Sequence, residues 1–184
     1  MQKKVLLLHG WGGSDSPHWQ SWLAGEIAKE YGTVSFLKFS DFDFPDLEVW
    51  KKELLYTLET FKPDIVVCHS LANTLWFHCI EEIIEVEKLY LVAPPSFECA
   101  VEEIQEFFPL QLPTATKAKD AILIVSTDDP YISVEEAVEL QKSLQINMKV
   151  IPEAGHINSD SGYGPWPWIL EEIRFDQASL DIKI

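Results

Sequence analysis

Little in this 184-residue chain is basic. Fourteen Lys and Arg stand against thirty Asp and Glu, a formal net charge of −16, and a surface of that sign repels nucleic acid and anionic membranes. The acidic excess is spread along helix-like stretches, as at Glu81, Glu82, Glu85 and Glu87, where it makes a solvated, solubilising face. It also turns away strongly anionic substrates and leaves neutral ones easier to admit. Long apolar runs are missing too. None approaches the roughly 20 residues of a transmembrane helix, and the apolar residues after Lys3 and Lys4 stop at Leu8, too few for the core of a secretion signal. Cysteine is scarce. Cys68, Cys79 and Cys99 are an odd set without Cys-x-x-Cys spacing, which predicts a reduced, cytoplasmic location. The five histidines, His9, His18, His69, His78 and His156, include no His-x-x-x-His or His-Glu-x-x-His pair, so neither a metal nor another cofactor is expected. Phosphate-binding glycine loops are absent as well. Gly10, Gly12 and Gly13 depart from Gly-x-Gly-x-x-Gly at Asp15, and no Gly-Lys-Ser/Thr follows.

Apolar content, at 47%, is enough for a substantial core, and no linker, repeat or low-complexity stretch divides the chain. One domain over residues 1–184 is expected, its last ten or so residues forming a loose tail. Strand-like runs at 4–8, 33–37, 64–68, 88–92, 121–125 and 147–151 alternate with helix-like stretches. That alternation predicts a parallel sheet covered by helices on both faces, a three-layer α/β/α sandwich. Ser16 before Pro17 reads as an N-cap with proline in the first helical position, and Ser133 with Glu136 as a capping box. No long insertion follows the fourth strand, so any lid is small.

Ser70 lies between the strand-like Ile65-Val66-Val67-Cys68 and a helix-like stretch starting at Leu71. Cys68-His69-Ser70-Leu71-Ala72 therefore reads as a nucleophile elbow, a sharp strand-to-helix turn that lifts a serine hydroxyl above the sheet. Cys68 and Ala72 stand where the usual pattern has glycine; both are small, as the turn requires. Downstream, two strand-like runs end in Ser126-Thr127-Asp128-Asp129-Pro130 and in Pro152-Glu153-Ala154-Gly155-His156. Serine, acid and histidine thus occur in the order this architecture needs, all at the carboxyl edge where open parallel sheets assemble their sites. A serine hydroxyl becomes a nucleophile when an imidazole takes its proton, and the imidazole needs a carboxylate to fix its tautomer. Ser70, His156 and Asp129 fill those roles. Asp128 is the rival acid; Pro130 keeps Asp129 extended and suited to project into a site. Cys68 is expected beneath the elbow rather than as a thiol nucleophile, and His69 as a packed or solvent-facing residue.

His9-Gly10-Trp11-Gly12-Gly13 follows the first strand directly. Glycine lets a main-chain amide approach closely, so the amides of Trp11 and Leu71 are the candidates for an oxyanion hole. His9, Trp76, Tyr131 and Trp166 are candidate pocket-lining residues, being close in sequence to these segments.

The opening strand with His9-Gly10-Trp11, the elbow His69-Ser70-Leu71, the run Ser126 to Tyr131 and the signature Gly155-His156-Ile157-Asn158-Ser159-Asp160-Ser161-Gly162-Tyr163-Gly164-Pro165-Trp166-Pro167 resemble the small lidless α/β-hydrolases grouped with retinoblastoma-binding protein nine and the YdeN-like bacterial proteins. The likeness runs from about residue 3 to about residue 173. It departs at Ala72 and at Trp168, where that family usually has glycine. The resemblance implies a reduced α/β-hydrolase fold with a mostly parallel six-stranded sheet in the order 2-1-3-4-5-6. It also implies Ser70, Asp129 and His156 as a triad. The expected activity is that of a carboxylesterase-like serine hydrolase, cleaving a small neutral or apolar acyl ester, with thioester and amide bonds open to the same machinery. The competing reading is a non-catalytic protein-interaction module on a hydrolase scaffold.

Overall fold

Short runs of valine, isoleucine and leucine form the centre of the molecule because both faces of each central strand are buried. The computed structural model describes residues 3–30 and 32–178. Its strands β1 (Lys4–Leu8), β2 (Thr33–Leu37), β3 (Ile65–His69), β4 (Val86–Val92), β5 (Ala118–Ser126) and β6 (Asn147–Ile151) form one sheet in the order β2-β1-β3-β4-β5-β6. Every pairing is parallel. The strand order expected from the sequence is the observed one. Of the expected tail, residues 179–184 lie outside the described residues.

The two-residue period of a strand sends alternate side chains into two cores. Leu6 and Leu8 of β1 join Val66, Cys68, Leu89 and Leu91 on one face, packed against Trp50 and Leu54 of α2 (Leu47–Phe61), Leu75 and Trp76 of α3 (Leu71–His78) and Leu140 of α4 (Val134–Leu144). Val5 and Leu7 join Ile65, Val67, Tyr90 and Val92 on the other, against Trp19, Leu23 and Ile27 of α1 (Trp19–Lys29) and Ile169, Leu170 and Ile173 of α5 (Pro167–Ala178). Each fully buried aliphatic side chain contributes about 1.5–3 kcal/mol. Two-sided burial is why the central strands read as unbroken apolar runs rather than alternating ones.

The helix starts show how local sequence meets this frame. Asp46 caps α2 by accepting from the Val49 amide at 2.9 Å. Ser133 and Glu136 form the expected reciprocal capping box at α4. The start of α1 corrects the sequence reading. Ser16 and Pro17 lie in the preceding turn, and the helix begins at Trp19 with His18 as its cap, its Nδ1 accepting from the Gln20 amide at 3.1 Å. An imidazole nitrogen two residues closer supplies the acceptor that the Ser16 hydroxyl was expected to provide. Helix α3 has no side-chain cap at all, which frees Ser70 for other work.

Removing the Ser133 cap should cost about 1 kcal/mol. In urea unfolding, Ser133→Ala should lower the midpoint without changing the slope, since the surface exposed on unfolding is unchanged.

Candidate active site

Ser70 sits where the chain leaves β3 for α3, at φ 55 and ψ −127. A non-glycine residue rarely adopts that conformation, and it costs about 1–3 kcal/mol. The turn is held by backbone bonds from Ser70 N to Val92 O (3.0 Å) and from Asn73 N to Ser70 O (2.9 Å). Asn73 Nδ2 reinforces both, donating to Ser70 O at 2.8 Å and Val92 O at 2.9 Å. Cys68 and Ala72 flank the turn fully buried. Burial drives the Cys68 thiol far above its ordinary pKa, so it stays protonated beneath the elbow.

The strain lifts the Ser70 hydroxyl toward His156. Ser70 Oγ donates to His156 Nε2 at 2.8 Å, and His156 Nδ1 donates to the Asp129 carboxylate, 2.9 Å to Oδ2 and 3.0 Å to Oδ1. Asp129 Oδ1 also accepts from the Tyr131 amide at 2.9 Å. The Asp129 side chain is wholly shielded from solvent.

Asp128 makes different contacts. Its Oδ1 accepts from Ser126 Oγ at 2.6 Å and from the Gly155 amide at 2.8 Å, and these bonds hold its carboxyl below the usual range. They belong to a larger clasp. Thr127 Oγ1 accepts from the Glu153 amide and Ser126 Oγ from the Ala154 amide, each at 2.9 Å. Residues 126–129 thus grip residues 153–156. Beyond them the His156 amide donates to Ser161 Oγ at 3.1 Å, which in turn donates to Asn158 Oδ1 at 2.9 Å. Gly155 has φ 53, and a Cβ there would collide with the Ser161 hydroxyl, so the loop needs glycine at that position. The Ser126-Thr127-Asp128 run at a strand end, three side chains able to accept hydrogen bonds, is the sequence signal for this clasp, but nothing in the sequence names the amides of residues 153–155 as their partners.

Gly10 presses on the elbow from the other side. A Cβ on it would lie 2.7 Å from Ser70 Cβ and 3.0 Å from the Leu71 nitrogen. The loop beyond is fixed by Gly12 N to Phe42 O (3.0 Å) and Gly13 N to Gly10 O (3.2 Å). The amides of Trp11 and Leu71 donate to no described residue, and both residues line a cavity of about 260 Å³ that also holds Ser70 and His156.

Trp11 and Tyr131 line this cavity; Tyr131 stands edge-on to His156, with ring centroids 4.5 Å apart. Three other expected lining residues do not. His9 is a buried strut, its Nδ1 donating to Gly10 O at 2.7 Å and its Nε2 accepting from Phe39 N at 3.0 Å, among Phe36, Phe39, Phe42 and Trp50. Trp76 points from α3 into the core and donates to Thr116 O at 2.8 Å. Trp166 packs edge-on against Trp19, 5.1 Å between centroids, in the opposite core. Closeness in sequence did not carry these side chains to the cavity because each follows the inward face of its own segment.

Two histidines assigned no site role also reach the cavity wall, His18 and His69. His69 Nε2 donates to the His156 carbonyl at 3.1 Å, and burial, with His18 and His156 close by, holds its pKa well below the ordinary value. Burial likewise depresses His18, to about 4. His18 and His69 are therefore uncharged at neutral pH. Among the described residues no group of three or more His, Cys, Asp or Glu could hold a metal ion, and no helix is long and apolar enough to cross a membrane.

Residues 5–174 match the model of a family described as serine hydrolase. The YdeN protein of Bacillus subtilis, named as a hydrolase, is 23% identical over 180 residues, covering 93% of this chain and 94% of its own length. The crystal structure of that gene product superposes with a TM-score of 0.83 at 20% identity, over 94% of this chain and 97% of its own. A YdeN-like hydrolase from Pectobacterium atrosepticum superposes with a TM-score of 0.76 at 22% identity, over 94% and 89%.

The buried histidines give stability a pH dependence. In the unfolded chain each titrates near 6.5, whereas folding lowers His9, His18 and His69. As pH falls the unfolded state takes up these protons first, so stability is fully present above about pH 6.5 and is lost toward about pH 4. Urea midpoints at pH 7.5, 6.0 and 5.0 should fall in that order, and less steeply in His18→Asn.

Proposed function

Because this chain belongs to the serine hydrolase family, we propose that it is a carboxylesterase-like hydrolase in which Ser70 is the nucleophile, His156 the general base and acid, and Asp129 the orienting carboxylate. The observation that carries the reading is the unbroken line of hydrogen bonds from Asp129 through His156 to Ser70 Oγ on a strained elbow. Ser70 Oγ attacks the ester carbonyl while His156 Nε2 takes its proton, and the Asp129 carboxylate stabilises the resulting imidazolium. The oxyanion of the tetrahedral intermediate accepts from the amides of Trp11 and Leu71. The ester C–O bond then breaks, the alcohol departs with the proton from His156, and the acyl group stays on Ser70. Water, deprotonated by His156, releases the acid and restores the serine. A cavity of about 260 Å³ fits a small acyl group, and the absence of Lys and Arg among the described residues of its wall favours a neutral one. We further read residues 1–184 as one domain resident in the cytoplasm, which the unpaired Cys68, Cys79 and Cys99 support.

A fluorophosphonate should label the native protein and not Ser70→Ala; no labelling of either would leave the interaction-module reading. Asp129→Asn should lower kcat on an activated ester by roughly three to four orders of magnitude, because the amide favours the wrong imidazole tautomer. Asp128→Asn should cost less than about tenfold, since an amide oxygen still accepts from Gly155. The reverse ranking would overturn the choice of acid.

Gly10→Ala is the test of the oxyanion loop. The added methyl has no room beside Ser70, so the Trp11 amide must shift. A fall in kcat of about 100-fold or more, with unchanged far-UV circular dichroism, is the expected result.

A further inference from the structure

The lining of the cavity divides by chain segment into two chemistries. Leu71, at the start of α3, and Pro95 and Ile104, in the segment after β4, supply apolar surface; His18, Asn158 and Asp160 supply polar groups. The polar set gathers around His156. Asn158 and Asp160 follow it in the same loop, and the His18 ring lies 4.9 Å from that of His69, whose Nε2 donates to the His156 carbonyl. Under the mechanism above, His156 hands its proton to the departing alcohol, so this is the side on which the leaving group lies.

Each polar group there is left with capacity unused by the chain. His18 Nδ1 accepts from the Gln20 amide, so the neutral ring carries its proton on Nε2. That nitrogen is buried without a hydrogen-bond partner among the described residues, in a residue only 5% exposed. A buried N–H left unpaired is destabilising, and an acceptor brought by a ligand removes the penalty. Asn158 commits Oδ1 to the Ser161 amide and hydroxyl, which leaves its NH2 as an open donor. Asp160 is exposed at the cavity and can accept. Two neutral donors and one acceptor, with no Lys or Arg among the described residues that line the cavity, match hydroxyl groups, which both give and take hydrogen bonds.

We propose that the substrate is a short acyl ester of a polyhydroxylated alcohol, glycerol-like or sugar-like, whose free hydroxyls are bound by His18 Nε2–H, Asn158 and Asp160 while the acyl chain lies on Leu71, Pro95 and Ile104. The assignment deepens the serine-hydrolase reading and rests on it. Attack by Ser70 breaks the ester C–O bond, the polyol leaves with the proton from His156, and water returns the acyl group as the free acid.

Glyceryl monobutyrate and propyl butyrate share acyl group, bond and carbon skeleton and differ only in the two hydroxyls. The wild-type enzyme should favour the glyceryl ester in kcat/KM by about tenfold. His18→Asn keeps an acceptor for the Gln20 amide and removes the Nε2 donor, so the preference should fall to about twofold; a purely structural role would lower both rates together and leave the ratio alone. If His18→Asn does not fold, Asp160→Ala, at an exposed position, must lower the ratio instead. Equal rates on the two esters in the wild type, or a ratio that the folded variant leaves unchanged, overturns the proposal while the serine-hydrolase reading stands. Failure to cleave either ester also overturns it, and fluorophosphonate labelling of Ser70 then decides separately whether that reading survives.

Discussion

The bond between His156 Nδ1 and Asp129 spans 27 residues of chain, and it can form only if the ends of β5 and β6 are held in one register. Parallel pairing supplies the coarse alignment, with Ser126 opposite Ile151 as the last pair. The clasp beyond that pair supplies the fine one. Ser126, Thr127 and Asp128 take the amides of Ala154, Glu153 and Gly155 in turn, so the imidazole meets its carboxylate at the end of an already fastened ladder. Backbone amides bonded to side chains at a strand end cannot slide without breaking several bonds at once. That is the rigidity the proposed role of His156 as general base needs, because small displacements of a catalytic group are costly in rate.

The same constraint explains why the fold was legible from sequence. Strands buried on both faces must be continuous apolar runs, and six such runs separated by helical stretches leave few topologies, since parallel crossovers are short and right-handed. That Ser70, Asp129 and His156 come together was legible because each lies just beyond the carboxyl end of a strand, β3, β5 and β6 in turn, and strand ends on one edge converge. Asp129 could be preferred over Asp128 because Pro130 restricts it, and the structure shows the two neighbours pointing to different partners, one to an imidazole ring and one to a backbone amide.

Side-chain direction away from the strand ends was not legible. Trp76 and Trp166 lie near site segments in the chain yet face the two cores, because helix phase and ring packing decide direction and neither is fixed by proximity. His9 was misplaced for a related reason. A histidine before a glycine loop looks like a site residue, but four surrounding aromatic rings and two backbone bonds make it a strut. His18 was missed in the opposite sense. Its cap role competes with the more familiar Ser16-Pro17 pattern, and only the folded chain shows that an imidazole caps α1 and that the same residue lines the cavity.

The energetic costs of this fold are concentrated where the chemistry is. Ser70 holds a conformation that L residues avoid. Four buried side-chain atoms without partners among the described residues are Ser14 Oγ, His18 Nε2, Gln20 Oε1 and Asn73 Oδ1; Ser14 and His18 lie between the glycine loop after β1 and α1, Gln20 in the first turn of α1, and Asn73 on the helix that the elbow opens. A chain selected for stability alone would relax the turn and pair or remove these groups. The cores behind them, filled by leucine, valine and tryptophan on both faces of the sheet, provide the surplus that offsets such costs. Strain and unpaired polarity at one sheet edge, against close packing elsewhere, is the distribution expected when local stability yields to a preorganised site.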